Sequence, residues 1–178
     1  MSVEQYDAMA TAGLFGPEDK VELIEGLLVQ KMTKDPPHIF AQRGVLKAFF
    51  EQAPQGWTVA VEEPIQLATS KPEPDAMLVR DSAPSQLPPI AAPDRTALVV
   101  EVSDSSLRFD LTTKAIAYAR GGVERYVVVD VPNRTLWLHT QPSDEGYRSV
   151  EEVPAIEQTL GEVTVRVPAK SLFPSSSE

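Results

Sequence analysis

Two apolar runs joined by a helical segment constrain the fold of this chain more than any other feature. The first run, TALVVEV at residues 96–102, is continuously apolar and predicts a buried strand. The second run, ERYVVVDV at residues 124–131, follows a helical pattern at residues 110–120 that ends at Gly121-Gly122. A strand, a helix and a second strand in this order imply a crossover connection. We therefore predict an α/β (α+β) sandwich with one central mixed β-sheet flanked by helices.

Shorter elements surround this unit. The patterns predict helices at residues 3–12 and 37–52, and further strands at residues 21–24, 27–32, 57–67, 75–79, 134–140, 146–153 and 162–167. The strand at 57–67 should be interrupted or at a sheet edge, because Pro64 cannot donate to a ladder. The second helix should bury Ile39, Leu46, Phe49 and Phe50, and Asp110 should cap the crossover helix. The proline-rich stretch 82–94 predicts a long loop that forms a flap or a rim. We expect one domain over residues 1–174 and a flexible tail at 175–178.

Composition limits the class of protein. A length of 178 residues with 42% hydrophobic and 24% charged residues suits one globular domain with a real core. No apolar run approaches the roughly 20 residues of a membrane span, so we expect no membrane partner. The chain has no cysteine, which excludes disulfides, thiolate metal sites and cysteine nucleophiles. These features are compatible with a cytoplasmic location.

The net charge bears on nucleic-acid binding. A formal charge of -10 repels phosphates on average, which argues against a protein that coats nucleic acid without specificity. A protein of this charge that acts on DNA needs a local basic rim, a metal ion that reverses the sign of the site, or both.

The segment EVSDSSLRFDLTTK, residues 101–114, carries the residue types of a metal-dependent phosphodiesterase site: carboxylates and a lysine after a strand. Because strand side chains alternate, Glu101 and Ser103 point to the same face. An acid at a strand end can equally extend into solvent, and both interpretations stay open. Lys114 follows Asp110 by four residues, which predicts either an exposed ion pair or an ammonium that stabilises charge in the site.

A second carboxylate, Asp75, directly precedes the apolar run AMLV, and Pro74 fixes the backbone before it. Pro-Asp pairs also form turns, so a turn aspartate is the alternative. Carboxylates on neighbouring strands bind Mg²⁺ or Mn²⁺, because these hard ions take oxygen ligands and retain waters. We expect Asp75 and Glu101 to hold such an ion, with the backbone carbonyl of Val102 as a further ligand.

Several segments occur in the same order as in a known family: VELIEGLLV, PPHIF, PEPDAMLV, VVEVSDSSLRFDLTTK and YARGGVERYVVVD. Over roughly residues 1–140 the chain resembles the Uma family of restriction endonuclease-like proteins, which are bacterial and have the PD-(D/E)XK nuclease fold. The resemblance implies a restriction-endonuclease-like core and DNA as the substrate. It also implies homodimers, with the amino-terminal helix and the late strands as contact surfaces.

The resemblance implies roles for individual residues. Asp75 matches the aspartate of the PD pair, and Glu101 matches the acid of the second half-motif. Members of this type do not place the lysine two residues after that acid, where this chain has Ser103. Lys114 matches the lysine of the following helix and is the expected replacement.

Two further matches lie near the amino terminus. Glu22 matches an acidic residue that assists in placing the attacking water. His38 matches a histidine at the start of the next helix, where a capping or surface role is the alternative to a catalytic one. Ser103 and Asp110 complete the set of candidate site residues.

Together these features predict the hydrolysis of phosphodiester bonds in DNA. Asp75 and Glu101 would hold Mg²⁺ or Mn²⁺, a water would attack phosphorus in line, Lys114 would stabilise charge, and Glu22 would help to place the water. Four basic residues are candidates for phosphate contacts, each with an ordinary surface role as the alternative: Arg43, Lys47, Arg108 and Arg120.

Two other classes of function stay open. A nuclease fold that no longer cuts and instead binds nucleic acid or protein is favoured by the acidic charge and by Ser103. A serine hydrolase would use Ser103, Ser105 or Ser106 with His38 or His139 as the base. The absence of a G-x-S-x-G elbow argues against the hydrolase.

Overall fold

A six-stranded mixed sheet forms the centre of the protein. The structure is a computed structural model that describes residues 1–16, 19–81 and 90–174. The strands lie in the order β3-β4-β5-β6-β7-β8, with bounds Trp57–Ala60, Ala76–Arg80, Thr96–Ser103, Arg125–Asp130, Thr135–Ser143 and Gly146–Glu152. Only β5 and β6 pair in parallel, and the other neighbours are antiparallel. The prediction of a central mixed sheet is confirmed.

Helical elements lie on both faces of this sheet. Helix α1 spans Val3–Thr11 and helix α2 spans Pro36–Gln52. The crossover between β5 and β6 contains α3 (Leu107–Phe109), a π-helical turn (Asp110–Lys114) and α4 (Ala115–Arg120). Short 3₁₀ turns occupy Pro93–Arg95 and Ala169–Ser171. The crossover is the one that the two apolar runs predict, because a parallel pair needs a long connection.

The two faces of the sheet build separate apolar clusters. On one face, Val100 and Val102 pack with α2 and with the hairpin of β9 (Ala155–Leu160) and β10 (Val163–Pro168). On the other face, Val99 packs with Tyr118 of α4 and with Ile65. Alternation along β5 therefore sends Glu101 to the face that the crossover helices cover.

A small hairpin closes one end of that face. Strands β1 (Val21–Ile24) and β2 (Leu27–Gln30) pair across Glu25 and Gly26, which both have positive φ (48° and 75°). Positive φ at both central residues is the requirement of a two-residue type I′ turn, so the predicted pair of strands is confirmed. Strand β1 also bridges residue Lys71 through Leu23, which ties the hairpin to the segment leading into β4.

Several predicted details of the helices are wrong. The buried stripe of α2 contains Ala41, Val45 and Phe49, spaced by four residues, whereas Phe50 is 63% exposed because it lies about 100° further around the helix. Asp110 is not a cap, because the helical segment already begins at Leu107. Instead its carboxylate accepts hydrogen bonds from two serine hydroxyls.

The strand predictions also need correction. The strand predicted over residues 57–67 is shorter than predicted and ends at Ala60, since Glu62 has a positive φ of 53°. The prediction that it is interrupted or at an edge agrees with the structure, because β3 is an edge strand of the sheet. Strand β9 was not predicted, because AIEQTL mixes apolar and polar residues. Of the predicted loop 82–94, residues 82–89 lie outside the described residues, as does the predicted tail 175–178.

Among the described residues, no helix combines the length and the apolar character needed to cross a bilayer.

The contrast between Phe49 and Phe50 gives a stability test. Phe49→Ala should lower the free energy of unfolding by about 3–5 kcal/mol, because Phe49 is 0% exposed in the cluster between α2 and the sheet. Phe50→Ala is the matched control and should change it by about 0.5 kcal/mol or less. Urea denaturation measures both, and equal losses would contradict the assigned face of α2.

Candidate active site

Asp75 lies directly before β4 and is nearly inaccessible. Ala76 pairs with Val100, so the register continued by one residue sets Asp75 opposite Glu101. The Val102 amide donates to Asp75 Oδ2 at 2.7 Å, which fixes the carboxylate against β5. Asp75 Oδ1 lies 2.7 Å from Lys34 Nζ and 3.2 Å from His38 Nε2. Asp75 is thus held by the sheet on one oxygen and by two side chains on the other.

Glu101 is buried on β5 beside the crossover helices. Lys114 Nζ donates to Glu101 Oε1 at 2.9 Å, and the Tyr118 hydroxyl donates to the same oxygen at 2.8 Å. Glu101 therefore does not extend into solvent, and that alternative interpretation is excluded.

Lys114 links the crossover to the amino-terminal hairpin. Its ammonium lies 2.8 Å from Glu22 Oε1 and 4.0 Å from Asp110 Oδ1, in addition to its contact with Glu101. The other oxygen of Glu22 accepts from the amide of Glu73 at 3.2 Å. Because β1 bridges the segment before β4, Glu22 reaches the same ammonium as Glu101. The exposed ion-pair interpretation of Lys114 is wrong, since the residue is only 6% exposed.

Asp110 forms a small buried network with serines. Its Oδ2 accepts hydrogen bonds from Ser103 Oγ at 2.7 Å and from Ser106 Oγ at 2.5 Å. Ser103, two residues after Glu101 on the same face of β5, thus supplies a hydroxyl that anchors the π-helical turn. The network holds the turn that carries Lys114 against β5.

Lys34 is a residue of the site that the sequence reasoning missed. It lies between β2 and α2, and its ammonium contacts Asp75 Oδ1, Glu62 Oε1 at 2.7 Å and Gln42 Oε1 at 3.3 Å. A neighbouring lysine, Lys31, pairs with Glu73 at 3.0 Å. One sequence signal could have indicated it: two lysines lie within the four residues before Asp35, the cap of α2, in the segment KMTKDPPHIF.

The surroundings of Asp75 favour its charged form. Burial alone would raise the pKa of the Asp75 carboxyl, but the hydrogen bonds and charges of His38 and Lys34 outweigh it and lower the pKa to about 2. Asp75 is therefore a carboxylate throughout the physiological range.

For Glu101 the balance is the opposite, and its neutral form is favoured, whereas Lys114 stays charged. Burial and the nearby carboxylates raise the pKa of Glu101 to about 8, although the Lys114 ammonium opposes the shift. Burial would lower the pKa of Lys114, but Glu101, Glu22 and Asp110 raise it above its usual value. Burial likewise raises the pKa of Asp110. Three carboxylates share one ammonium, so Lys114 stays charged while Glu101 readily keeps a proton.

These residues line one cavity of about 290 Å³. Its wall carries seven carboxylates and three lysines, with His38 and the edge of β5 at Val102: Glu22, Asp35, Glu73, Asp75, Glu101, Asp104, Asp110, Lys31, Lys34 and Lys114. The cavity is acidic like the whole chain, so it attracts cations.

The oxygen donors fit a hard divalent cation with few protein ligands. The register of β4 and β5 sets Asp75 opposite Glu101, and Val102 lines the same cavity. In the described parts of the chain, His, Cys, Asp and Glu side chains form no group of three or more with metal-binding geometry. Mg²⁺ commonly uses one or two carboxylates and completes its shell with waters and substrate phosphates, which agrees with this donor set.

Other sequence candidates lie apart from this cavity. Lys47 pairs with Glu51 on the surface of α2, and Arg120 pairs with Glu25. Like these two, Arg43 and Arg108 are not among the cavity residues of the described chain. Among described residues no serine hydroxyl contacts a histidine; the Ser103 and Ser106 hydroxyls donate to Asp110, and His139 is buried against Tyr126. The geometry gives the serine hydrolase alternative no support.

The raised pKa of Glu101 predicts a pH dependence of stability. In EDTA, the free energy of unfolding should fall as the pH rises from about 5 to about 8. Folded Glu101 keeps its proton up to a pKa of about 8, whereas the unfolded carboxyl, with a pKa of 4.5, has lost it. The folded state then binds more protons than the unfolded state, which gives a negative slope.

Glu101→Gln is the control for this slope. Buried His139 has a lowered pKa and acts in the opposite direction below about pH 6.5, so the difference between the two proteins is the informative quantity. Urea denaturation at several pH values should show a shallower decline for the variant. Identical slopes would contradict the assignment.

Comparison with known proteins shows the fold and the family of the chain. The solved structure of a "putative nuclease belonging to DUF820" from Anabaena variabilis ATCC 29413 superposes with a TM-score of 0.71 at 17% identity, covering 97% of each chain. At that identity the match shows a shared fold. No curated protein matches the chain. The profile of the Uma2 family, described as "Putative restriction endonuclease", matches residues 3–168. This chain belongs to the Uma2 family.

Proposed function

We propose that this protein is a metal-dependent endonuclease that hydrolyses phosphodiester bonds in DNA. The observation that carries the proposal is the convergence of Asp75, Glu101 and the Lys114 ammonium on one cavity. Two opposed carboxylates and a lysine are the groups that phosphodiester hydrolysis with a divalent cation requires. Membership in a family described as "Putative restriction endonuclease" supports the same chemistry.

The carboxylates and the strand edge supply the ligands. Asp75, Glu101 and the Val102 carbonyl would hold Mg²⁺ or Mn²⁺. The bound cation would polarise the phosphate and promote formation of the nucleophile from water. Asp75 is suited to this task because it is already ionised and oriented by the Val102 amide. Glu101 would lose its proton when a cation binds, since the added positive charge favours the carboxylate.

Lys114 acts as a fixed positive charge. Its raised pKa excludes a free amine at physiological pH, so it stabilises negative charge that develops on the phosphate and does not accept a proton. Glu22 and Glu101 hold its ammonium in place. Glu22 would also help to place the attacking water, and His38 would orient Asp75 through their hydrogen bond.

The finer parts of the proposal have separate tests. The family description supports DNA as the substrate, the resemblance implies a homodimer, and the lack of cysteine is compatible with a cytoplasmic location. Sedimentation of the purified protein tests the dimer, and cleavage of linear, circular and single-stranded DNA tests the substrate.

A nuclease fold that binds without cutting is the second candidate function. The excess of carboxylates over lysines in the cavity favours it, because an acidic pocket without a cation repels phosphate. Titration with Mn²⁺ separates the two, since the endonuclease requires binding that depends on Asp75 and Glu101.

Removing either metal-binding carboxylate should abolish cleavage. Asp75→Asn and Glu101→Gln keep the side-chain shape but remove the anionic ligand, so Mg²⁺-dependent cleavage of plasmid DNA should fall to background. Circular dichroism should report an intact fold. Glu152→Gln, on the exposed face of β8, is the control and should cleave normally. Cleavage that persists in both site variants would reject the assignment.

Lys114→Met should separate chemistry from cation binding. The variant loses the charge that stabilises the transition state, so single-turnover cleavage should slow by roughly 100-fold or more. Calorimetric titration should still detect Mn²⁺, because Asp75 and Glu101 remain. Wild-type cleavage by this variant would remove Lys114 from the mechanism.

A further inference from the structure

Lys34 lies on the oxygen of Asp75 that the sheet leaves free. Oδ2 is engaged by the Val102 amide, and Oδ1 accepts from the Lys34 ammonium at 2.7 Å. Oδ1 is therefore the oxygen open to a divalent cation. The Lys34 ammonium already contacts it, and His38 Nε2 lies 3.2 Å from it. A lysine ammonium there neutralises a carboxylate that is 5% exposed.

The Lys34 ammonium also contacts two acceptors other than Asp75. Glu62 Oε1 lies 2.7 Å from Lys34 Nζ, and Gln42 Oε1 lies 3.3 Å from it. Loss of the Asp75 contact would thus leave Lys34 with two of its three partners. The Lys34 side chain is 25% exposed, so a shift toward Glu62 does not require the core to open.

Glu62 is fixed as a separate acceptor. Its amide donates to the Pro74 carbonyl at 3.1 Å, and Gln42 Nε2 donates to Glu62 Oε1 at 3.0 Å. Its backbone has a φ of 53°, a strained conformation for a residue with a side chain. Backbone strain of this kind persists where surrounding contacts hold it, and here it keeps a carboxylate beside Lys34.

We infer that Lys34 is a displaceable counter-ion of the candidate active site. It contacts Asp75 Oδ1 when no divalent cation is bound, and it gives up that contact but keeps those with Glu62 and Gln42 when one binds. The inference rests on the proposed cation site. Lys34 thereby stabilises the empty site and competes with the divalent cation for the same oxygen.

Calorimetric titration of Mn²⁺ into the full chain tests the competition. Lys34→Met should bind Mn²⁺ roughly 3- to 10-fold more tightly than wild type, because the competing charge is gone. Lys31→Met is the matched control: it removes one positive charge from the same cavity, but that charge pairs with Glu73. The change in the logarithm of the Mn²⁺ affinity in Lys31→Met should be less than half of the change in Lys34→Met.

The outcomes separate this inference from the proposed function. Equal or weaker Mn²⁺ affinity in Lys34→Met, or an equal gain in Lys31→Met, would overturn the role of Lys34 alone. No Mn²⁺ binding by any of the three proteins would overturn both the cation site and the competition.

A double-mutant cycle in EDTA tests the contact without any metal. Lys34→Met, Asp75→Asn and the double variant should show a coupling of roughly threefold or more in the unfolding equilibrium constant, measured by urea denaturation. Additive effects of Lys34→Met and Asp75→Asn would overturn the inference whether or not Mn²⁺ binds.

Discussion

The ammonium of Lys114, enclosed by Glu22 and Glu101, is the interaction on which the arrangement of the site depends. Buried carboxylates are tolerated only when paired, and a single cation here serves acids from β1, β5 and the crossover. The contact joins three parts of the chain that are far apart in sequence. The site is therefore also a junction between the hairpin, the sheet and the helical segment.

Charge is unevenly distributed over the carboxylates of the cavity. Asp75 is ionised because the Val102 amide, His38 and Lys34 all contact it. Glu101 shares its single strong cation with other acids and is readily protonated. Asp75 and Glu101 are similarly buried but differ in protonation because of their neighbours. One further positive charge near Glu101 would therefore favour its ionised form.

Local pattern sufficed for the parts of the site that depend on strand geometry. The continuous apolar run around Val99 predicts β5, and alternation then assigns the face of Glu101. The sequence likewise predicts the position of Asp75 before a strand, but it does not predict which groups contact the oxygens of its carboxylate. The crossover followed from two apolar runs separated by a helical pattern.

Other features depend on tertiary contacts that no local pattern encodes. Asp110 looks like a helix cap in sequence, but Ser103 at the end of β5 and Ser106 draw it inward, so the helix begins earlier. Lys34 looks like a surface charge, and only the approach of the loop to β4 brings it to Asp75. Phe50 is apolar yet exposed, because the stripe through Phe49 already fills the interface of α2.

The π-helical turn at Asp110–Lys114 has a consequence for how such a site can change over time. A turn of this kind corresponds to one extra residue within an ordinary helix. Loss of a single residue there would restore an ordinary helical turn and change which side chain of the turn faces Glu22 and Glu101, while the helix that follows keeps its packing. A one-codon deletion would thus separate the lysine from the acids of the strands and still retain the fold and its acidic pocket.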